Sequence, residues 1–172
     1  MKKRTYRLLC TLLLAGCGIG LLTAATATNL QCEYLVNPLG MDVVAPRFTW
    51  QLDDDRHGAA QTAYRIVVGT DSAAVARGTG DMWDTQKMAS NRILTTYAGK
   101  SLAPFTRYFW SVRLWDADGQ ELAPRTASFE TGMMEMKNWK GAWISDGEHL
   151  SGNSIHVKPA PYFRKEFQVD RR

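Results

Sequence analysis

The sequence predicts an all-β protein built as an antiparallel β-sandwich. Short segments of alternating apolar and polar residues recur at intervals of about ten residues, and turn-forming residues separate them. No segment shows the apolar repeat of a long helix. The clearest evidence is the stretch from Leu102 to Gly132, in which two alternating segments flank the turn-forming residues Asp116–Gly119.

This stretch supplies two neighbouring strands of the predicted sandwich. Its first strand carries large apolar side chains at every second position, which indicates one buried face. These residues are Tyr108, Trp110, Val112 and Leu114. The opposite face is mixed and consists of Phe109, Ser111, Arg113 and Trp115. The return strand is expected over Ala127–Thr131, with Phe129 at its centre.

Further strands are expected before this hairpin. They are Leu30–Leu35, Arg47–Leu52, Gln61–Gly69, Met82–Asp84 and Ile93–Tyr97. The residues expected to face the core are Leu30, Cys32 and Tyr34 in the first strand, Phe48, Trp50 and Leu52 in the second, and Tyr64, Ile66 and Val68 in the third. Ala63, Arg65 and Val67 are expected to face outward, and Ala73–Ala76 is expected to form one helical turn.

A tyrosine near the start of the first hairpin strand has a recognisable setting. Leu102 and Pro104 precede Tyr108 and Trp110 in the pattern Leu-x-Pro-x-x-x-Tyr-x-Trp. In a tyrosine corner the buried ring turns its hydroxyl back onto the backbone of the preceding loop. The pattern resembles fibronectin type III modules, so we expect a fibronectin type III-like or immunoglobulin-like sandwich over residues 28–132.

Residues 1–27 have the three-part layout of a secretory signal. Basic residues come first, an apolar stretch follows, and small residues end the segment. Cleavage before Thr28 is slightly favoured, but Leu14–Cys17 also resembles a bacterial lipobox, which makes Cys17 a lipidation candidate. We therefore expect an exported bacterial protein, whether periplasmic, at the cell surface or secreted, and membrane attachment only through such a lipid anchor.

Charge and side-chain chemistry exclude several functions. The chain has 21 Lys and Arg against 17 Asp and Glu, but the four bases of the leader account for the whole excess. A balanced mature chain gives no electrostatic case for nucleic-acid binding. Cys32 is expected to be a small buried side chain, and the acidic loop Asp53–Asp55 is expected to be a solvated hairpin loop rather than a calcium site. No cofactor is expected.

Residues 133–172 do not fit within the sandwich. They begin with a linker candidate, continue with the aromatic segment Trp139–Ile144, and end with a strand candidate, Tyr162–Val169. Forty residues cannot bury a core of their own. The chain is therefore expected to stop inside a second, truncated β-domain, either because the reading frame was cut or because the chain is a fragment of a longer product.

Taken in order, these segments resemble the start of the bacterial α-L-rhamnosidases of glycoside hydrolase family 78. The resembling elements are Leu30–Tyr34, Asn37–Gly40, Pro46–Trp50, Gln61–Ile66, Trp83–Thr85, Leu102–Trp115, Phe129–Gly132, Trp139 with Trp143, and Phe163–Phe167. The resemblance covers the mature chain, and the order and spacing of its elements are more specific than any single element.

The resemblance implies a multidomain enzyme in which a later helical barrel carries the catalytic carboxylates and hydrolyses terminal α-L-rhamnose with inversion. No segment of this chain resembles that barrel, so no catalytic residue can be assigned here. The candidate carboxylates Glu33, Asp84, Glu130 and Glu166 are interpreted as strand-face or turn residues. The implied partners are later domains of the same enzyme and rhamnose-containing glycans.

Three hypotheses follow for the function. The leading one is a non-catalytic N-terminal module of an exported α-L-rhamnosidase. The second is a free-standing module that binds carbohydrate or protein through Trp83, Trp139 or Trp143, although core or interdomain packing is the favoured role for these rings. The third is an independent enzyme, which is the weakest because His57, His149 and His156 form no catalytic or metal-binding pattern.

Overall fold

The computed structural model describes residues 25–144 and 162–169 and confirms the all-β prediction. The elements, numbered here in chain order, are β1 (Thr26–Cys32), β2 (Arg47–Asp53), β3 (Ala63–Gly69), α1 (Ser72–Ala76), β4 (Trp83–Asp84), β5 (Met88–Ala89), β6 (Leu94–Thr96), β7 (Arg107–Trp115) and β8 (Arg125–Glu130). The chain divides into two compact units, one ending at Met134 and the other beginning at Glu135. No helix in the described ranges is long and apolar enough to cross a membrane.

The first unit is a sandwich of two antiparallel sheets. One sheet has the strand order β1-β2-β6, and the other has the order β4-β3-β7-β8 with β5 also paired to β3. The inner faces meet in an aromatic core, where the Phe48 ring lies 4.6 Å from Trp110 and 5.7 Å from Phe129 between centroids. Each of these three side chains is almost fully buried. Burial of such large rings is the main source of stability in the unit.

The outer face of the larger sheet is covered by α1. Asp71 caps this short helix by accepting a hydrogen bond from the Ala74 N–H at 2.6 Å. The fully buried Val75 lies on the side of α1 that meets the sheet. Val67 is consequently buried as well, and its predicted outward exposure is wrong because the alternation of β3 does not reveal that a helical turn covers the strand. The predicted exposure of Ala63 is also wrong, since this residue is buried between its pairing partners in β5 and β7.

β1 lies earlier in the chain than predicted. A bulge shifts its register against β2 between Thr28 and Gln31, with Asn29 in the left-handed region at φ 48°. Tyr34 is then left outside the core, half-exposed in the turn that ends the strand, and not inward as expected. The strand also begins at Thr26, so the predicted cleavage point before Thr28 lies inside β1, where Ala27 is only 1% exposed.

The tyrosine corner forms as predicted. The Tyr108 hydroxyl accepts a hydrogen bond from the Ala103 N–H at 2.8 Å, and its ring is buried. The Thr131 hydroxyl donates to the Ala103 carbonyl at 2.7 Å, so both backbone groups of Ala103 have side-chain partners. The loop before β7 is therefore fixed by two side chains from the sandwich.

The chain leaves the sandwich through a set of hydrogen bonds that we call the exit clasp. The Gly132 N–H donates to the Met41 carbonyl at 2.7 Å, and the Met134 N–H donates to the Asp42 carboxylate at 2.7 Å. The Phe105 N–H donates to the Gly132 carbonyl at 2.8 Å. A Cβ atom at position 132 would lie 2.7 Å from the backbone carbonyl oxygen of Gly40, so this close approach requires glycine.

The second unit is described over residues 135–144 and 162–169. It contains one 3₁₀ turn, Met136–Asn138. Residues 162–169, for which the sequence predicts a strand, form none within these ranges. A strand requires a neighbour to complete its hydrogen bonds, and the described residues supply none for this segment.

Candidate functional site

The outer face of the β1-β2-β6 sheet carries a groove of about 270 Å³, which we call the amide groove. Four polar side chains line it: Asn29, Gln31, Thr49 and Gln51. Tyr34 contributes from the β1 side, and Ile93 and Leu94 contribute from the β6 side. Gln31, Thr49 and Leu94 are directly opposite one another across the three strands, because the register pairs Thr49 with both of the others.

Tyr34 is held by an ion pair between Glu33 and Arg47. Arg47 donates to both Glu33 carboxylate oxygens, at 2.6 Å to Oε2 and 3.2 Å to Oε1, while its guanidinium lies 4.8 Å from the centre of the Tyr34 ring. These hydrogen bonds from Arg47 lower the pKa of Glu33. Glu33 and Tyr34 both have left-handed backbone conformations, at φ 51° and 63°. The ion pair therefore stabilises a strained turn that presents the ring outward.

Two of the three candidate tryptophans are exposed. Trp83 packs into the edge of the aromatic core, with its ring 5.3 Å from Tyr97 and 6.4 Å from Phe48 between centroids. In the second unit Trp139 and Trp143 stack on each other at 6.2 Å and are 51% and 93% exposed. The lipidation candidate Cys17 lies outside the described residues.

The four candidate carboxylates of the sequence analysis all form ion pairs with arginines. Glu33 pairs with Arg47, Asp84 with Arg65 at 2.6 Å, Glu130 with Arg107 at 3.2 Å, and Glu166 with Arg164. The hydrogen bonds from Arg65 lower the pKa of Asp84. A general acid needs a raised pKa, so the two shifts that are resolved have the wrong direction for that role.

The acidic loop after β2 is organised by Arg56. Its guanidinium lies 2.7 Å from carboxylate oxygens of both Asp54 and Asp116, whose side chains are almost fully covered. Hydrogen bonds from Arg56 lower the pKa of both aspartates. Among the residues that the structure describes, no group of three or more acidic, His or Cys side chains is placed to hold a metal ion.

Cys32 has the structural role that the sequence predicts. It is 1% exposed on β1, and burial raises the pKa of its thiol to about 12. Its sulfur lies 4.0 Å from that of Met41. At neutral pH it is therefore a protonated, apolar part of the core.

A family model described as the Rha78A-like N-terminal immunoglobulin domain matches residues 27–135. The chain belongs to this family. An α-L-rhamnosidase of Streptomyces avermitilis is 40% identical to this chain over 126 residues, and the alignment covers 72% of this chain and 12% of that protein. The chain spans 12 to 16% of the length of the curated relatives it matches.

Solved structures agree with this assignment. An α-L-rhamnosidase from Dictyoglumus thermophilum matches with a TM-score of 0.66 and 40% identity, over 69% of this chain and 14% of that one. The Streptomyces avermitilis α-L-rhamnosidase complexed with L-rhamnose matches with a TM-score of 0.63 and 40% identity, over 71% of this chain and 12% of that one. In both comparisons the part that matches this chain is a small share of the larger protein.

The sequence does not predict the amide groove of this Rha78A-like domain. Its four polar side chains come from two strands and carry no charge, so they form no motif in the linear sequence. The one indication of the groove in the sequence is the alternation of β2, where the polar residues Thr49 and Gln51 lie between core residues and therefore face outward. The bulge in β1 removed the equivalent signal for Asn29 and Gln31.

Proposed function

We propose that this chain is the N-terminal, non-catalytic module of an exported α-L-rhamnosidase that releases terminal α-L-rhamnose from glycans or glycosides. The observation that carries the proposal is the alignment with the Streptomyces avermitilis enzyme. At 40% identity it covers 72% of this chain but 12% of that protein, so this domain corresponds to a small part of such an enzyme.

The chemistry of the reaction supports a non-catalytic role. Inverting hydrolysis of a glycoside needs a general acid with a raised pKa and a general base, separated by about 6.5 to 9.5 Å. Glu33 and Asp84 have lowered pKa values because arginines donate to them. Glu130 is likewise tied to Arg107 in a strand-to-strand pair. These carboxylates stabilise turns and strands, and we assign the catalytic pair to later domains.

The function of the module is then to support those later domains. The exit clasp supports this role because two backbone–backbone hydrogen bonds and one bond to the Asp42 carboxylate anchor residues 132–134 to the sandwich before the chain continues. Export is part of the same proposal and rests on the leader-like segment of residues 1–27.

Two measurements test the proposal. The purified full chain is expected to leave an aryl α-L-rhamnoside intact, and the same chain extended by the coding sequence downstream of Arg172 is expected to hydrolyse it. The nucleotide sequence beyond Arg172 should continue in frame as a rhamnosidase. Hydrolysis by the present chain alone, or a stop with no rhamnosidase-like sequence in any downstream frame, contradicts the proposal.

A second candidate is carbohydrate binding by the second unit. The exposure of the stacked pair Trp139 and Trp143 favours it, because indole rings pack against the apolar C–H faces of sugars. Trp fluorescence of the full chain titrated with a rhamnose-containing oligosaccharide should change saturably, and Trp143→Ala should abolish the change. A wild-type signal that does not move at millimolar sugar contradicts this role.

A further inference from the structure

We propose that the amide groove binds one ring of a neutral saccharide that has an apolar edge. The groove is built from uncharged donors and acceptors on one sheet of the sandwich, and its lining includes none of the tryptophans that the sequence suggests for sugar contact.

The groove favours a neutral ligand. Asn29, Gln31, Thr49 and Gln51 carry no charge. Arg47, the cation beside Tyr34, is compensated by its bidentate pair with Glu33. A charged ligand would lose its hydration without gaining a counter-charge from these lining side chains, whereas a neutral polyhydroxylated ligand exchanges hydrogen bonds with water for hydrogen bonds with the groove at little cost.

The three amides and one hydroxyl are available for a ligand. None of these four side chains makes a hydrogen bond to another residue in the described part of the chain. An amide presents both a carbonyl acceptor and an NH₂ donor, so one side chain can bind two neighbouring hydroxyl groups, each of which donates and accepts. Such paired hydroxyls are characteristic of saccharides. Gln31 of β1 and Gln51 of β2 line the groove from neighbouring strands, so both amides are placed to bind hydroxyl groups of one ligand.

The apolar side chains select a particular kind of sugar. Ile93 and Leu94 lie on the β6 side of the groove and are exposed, and Tyr34 is 54% exposed on the β1 side. The left-handed turn at Glu33 and Tyr34 holds that ring outward instead of in the core. Aliphatic and aromatic contacts stabilise C–H and methyl groups, while a hydroxyl placed against Ile93 and Leu94 would lose its hydrogen bonds.

The size of the groove suits a single ring. Its volume of about 270 Å³ is slightly below the range of sites that enclose drug-sized ligands, which begins near ~300 Å³. L-rhamnose is a 6-deoxy sugar with a methyl group where L-mannose has a hydroxymethyl group, so the two form a matched pair of probes. The choice of L-rhamnose rests on the proposed function, whereas the groove and its neutral character do not.

The test is a titration of the ¹⁵N-labelled full chain with L-rhamnose, followed through the side-chain NH₂ signals of Asn29, Gln31 and Gln51. We expect saturable shifts of these signals, and weaker shifts with L-mannose at equal concentration. Gln31→Ala and Gln51→Ala should each weaken binding by about three- to tenfold, since each removes hydrogen bonds between neutral groups. Gln120→Ala is the matched control, because Gln120 is exposed in the β7-β8 hairpin and far from the groove in sequence.

Several outcomes would overturn the proposal. They are unmoved amide signals at sugar concentrations well above the millimolar range, shifts confined to the indole signals of Trp139 and Trp143, and equal affinity in Gln31→Ala and the wild type. The backbone spectrum of each variant reports whether the sandwich is intact. Because this titration reads binding without turnover, it can fail while the extended protein still hydrolyses rhamnosides, and the reverse also holds.

Discussion

The tyrosine corner makes a measurable contribution to stability. Tyr108→Phe is expected to lower the free energy of unfolding by about 1–2 kcal/mol, since it removes one hydrogen bond and leaves the Ala103 N–H without its acceptor. The ring itself stays, 5.3 Å from the Phe129 ring between centroids, so the apolar contribution is unchanged. The loss therefore reports the hydroxyl alone.

Tyr64→Phe is the matched control. Tyr64 is also a buried tyrosine of the sandwich, but its hydroxyl makes no hydrogen bond to another described residue. Its replacement is expected to change the free energy of unfolding by less than about 0.5 kcal/mol. The difference between the two variants isolates the bond to Ala103 from the general effect of removing a phenol oxygen.

Urea unfolding of the full chain, followed by Trp fluorescence, measures both values. Trp50 and Trp110 are almost fully buried in the sandwich, so their emission reports the unfolding of this unit. The slope of free energy against urea must be equal in all three proteins for the comparison to hold. Equal losses in Tyr108→Phe and Tyr64→Phe, or no loss in Tyr108→Phe, would refute the reasoning.

Three further predictions concern stability and reactivity. Because Arg56 lowers the pKa of the two aspartates it bridges, their contribution to stability is present above their unfolded pKa of about 3.9 and is lost as the pH falls below it. The urea concentration at the unfolding midpoint should thus decrease when the pH is lowered from 7 to 3, and the decrease should be smaller in Arg56→Gln than in the wild type. Equal decreases in the two proteins would contradict this. Cys32, with its pKa raised to about 12, should resist iodoacetamide at pH 8 and react in urea, as read by peptide mass spectrometry; native labelling would contradict its burial. A chain starting at Thr28 should be less stable than one starting at Ala25 by about 2 kcal/mol, because it loses the buried Ala27 and its pairing with β2; equal urea midpoints would contradict this.

The hairpin of β7 and β8 is the part of the fold that the sequence predicts best. Four large apolar residues at period two place β7 within one residue of its observed bounds, and the Leu-x-Pro pattern predicts the bond between Tyr108 and Ala103. Both features are local, since strand alternation and a loop five residues away can be read from one segment. β8 begins at Arg125, slightly before the prediction, because pairing with β7 extends the strand beyond its apolar residues.

β1 shows why the orientation of Tyr34 and the amide groove are not predictable from the sequence. Alternation through Cys32 predicts that Tyr34 faces the core, but the bulge at Asn29 and the left-handed residues Glu33 and Tyr34 change the direction of the backbone. Their conformation depends on the distant Arg47, which lies 14 residues away in the sequence. The amide groove is similarly non-local, because it requires the register of three strands rather than the sequence of any one.

The exit clasp has a mechanical consequence. Tension applied through the chain beyond Met134 would reach the hydrogen bonds at Met134 and Gly132 before it reached the last strand. Thr131 also forms a parallel bridge with Met41, so part of that load would act along the paired segments and stretch several bonds together. The pairing of β7 with β8 is thereby shielded from a pull by whatever follows in the chain, and the aromatic core behind it can stay closed while the clasp yields first.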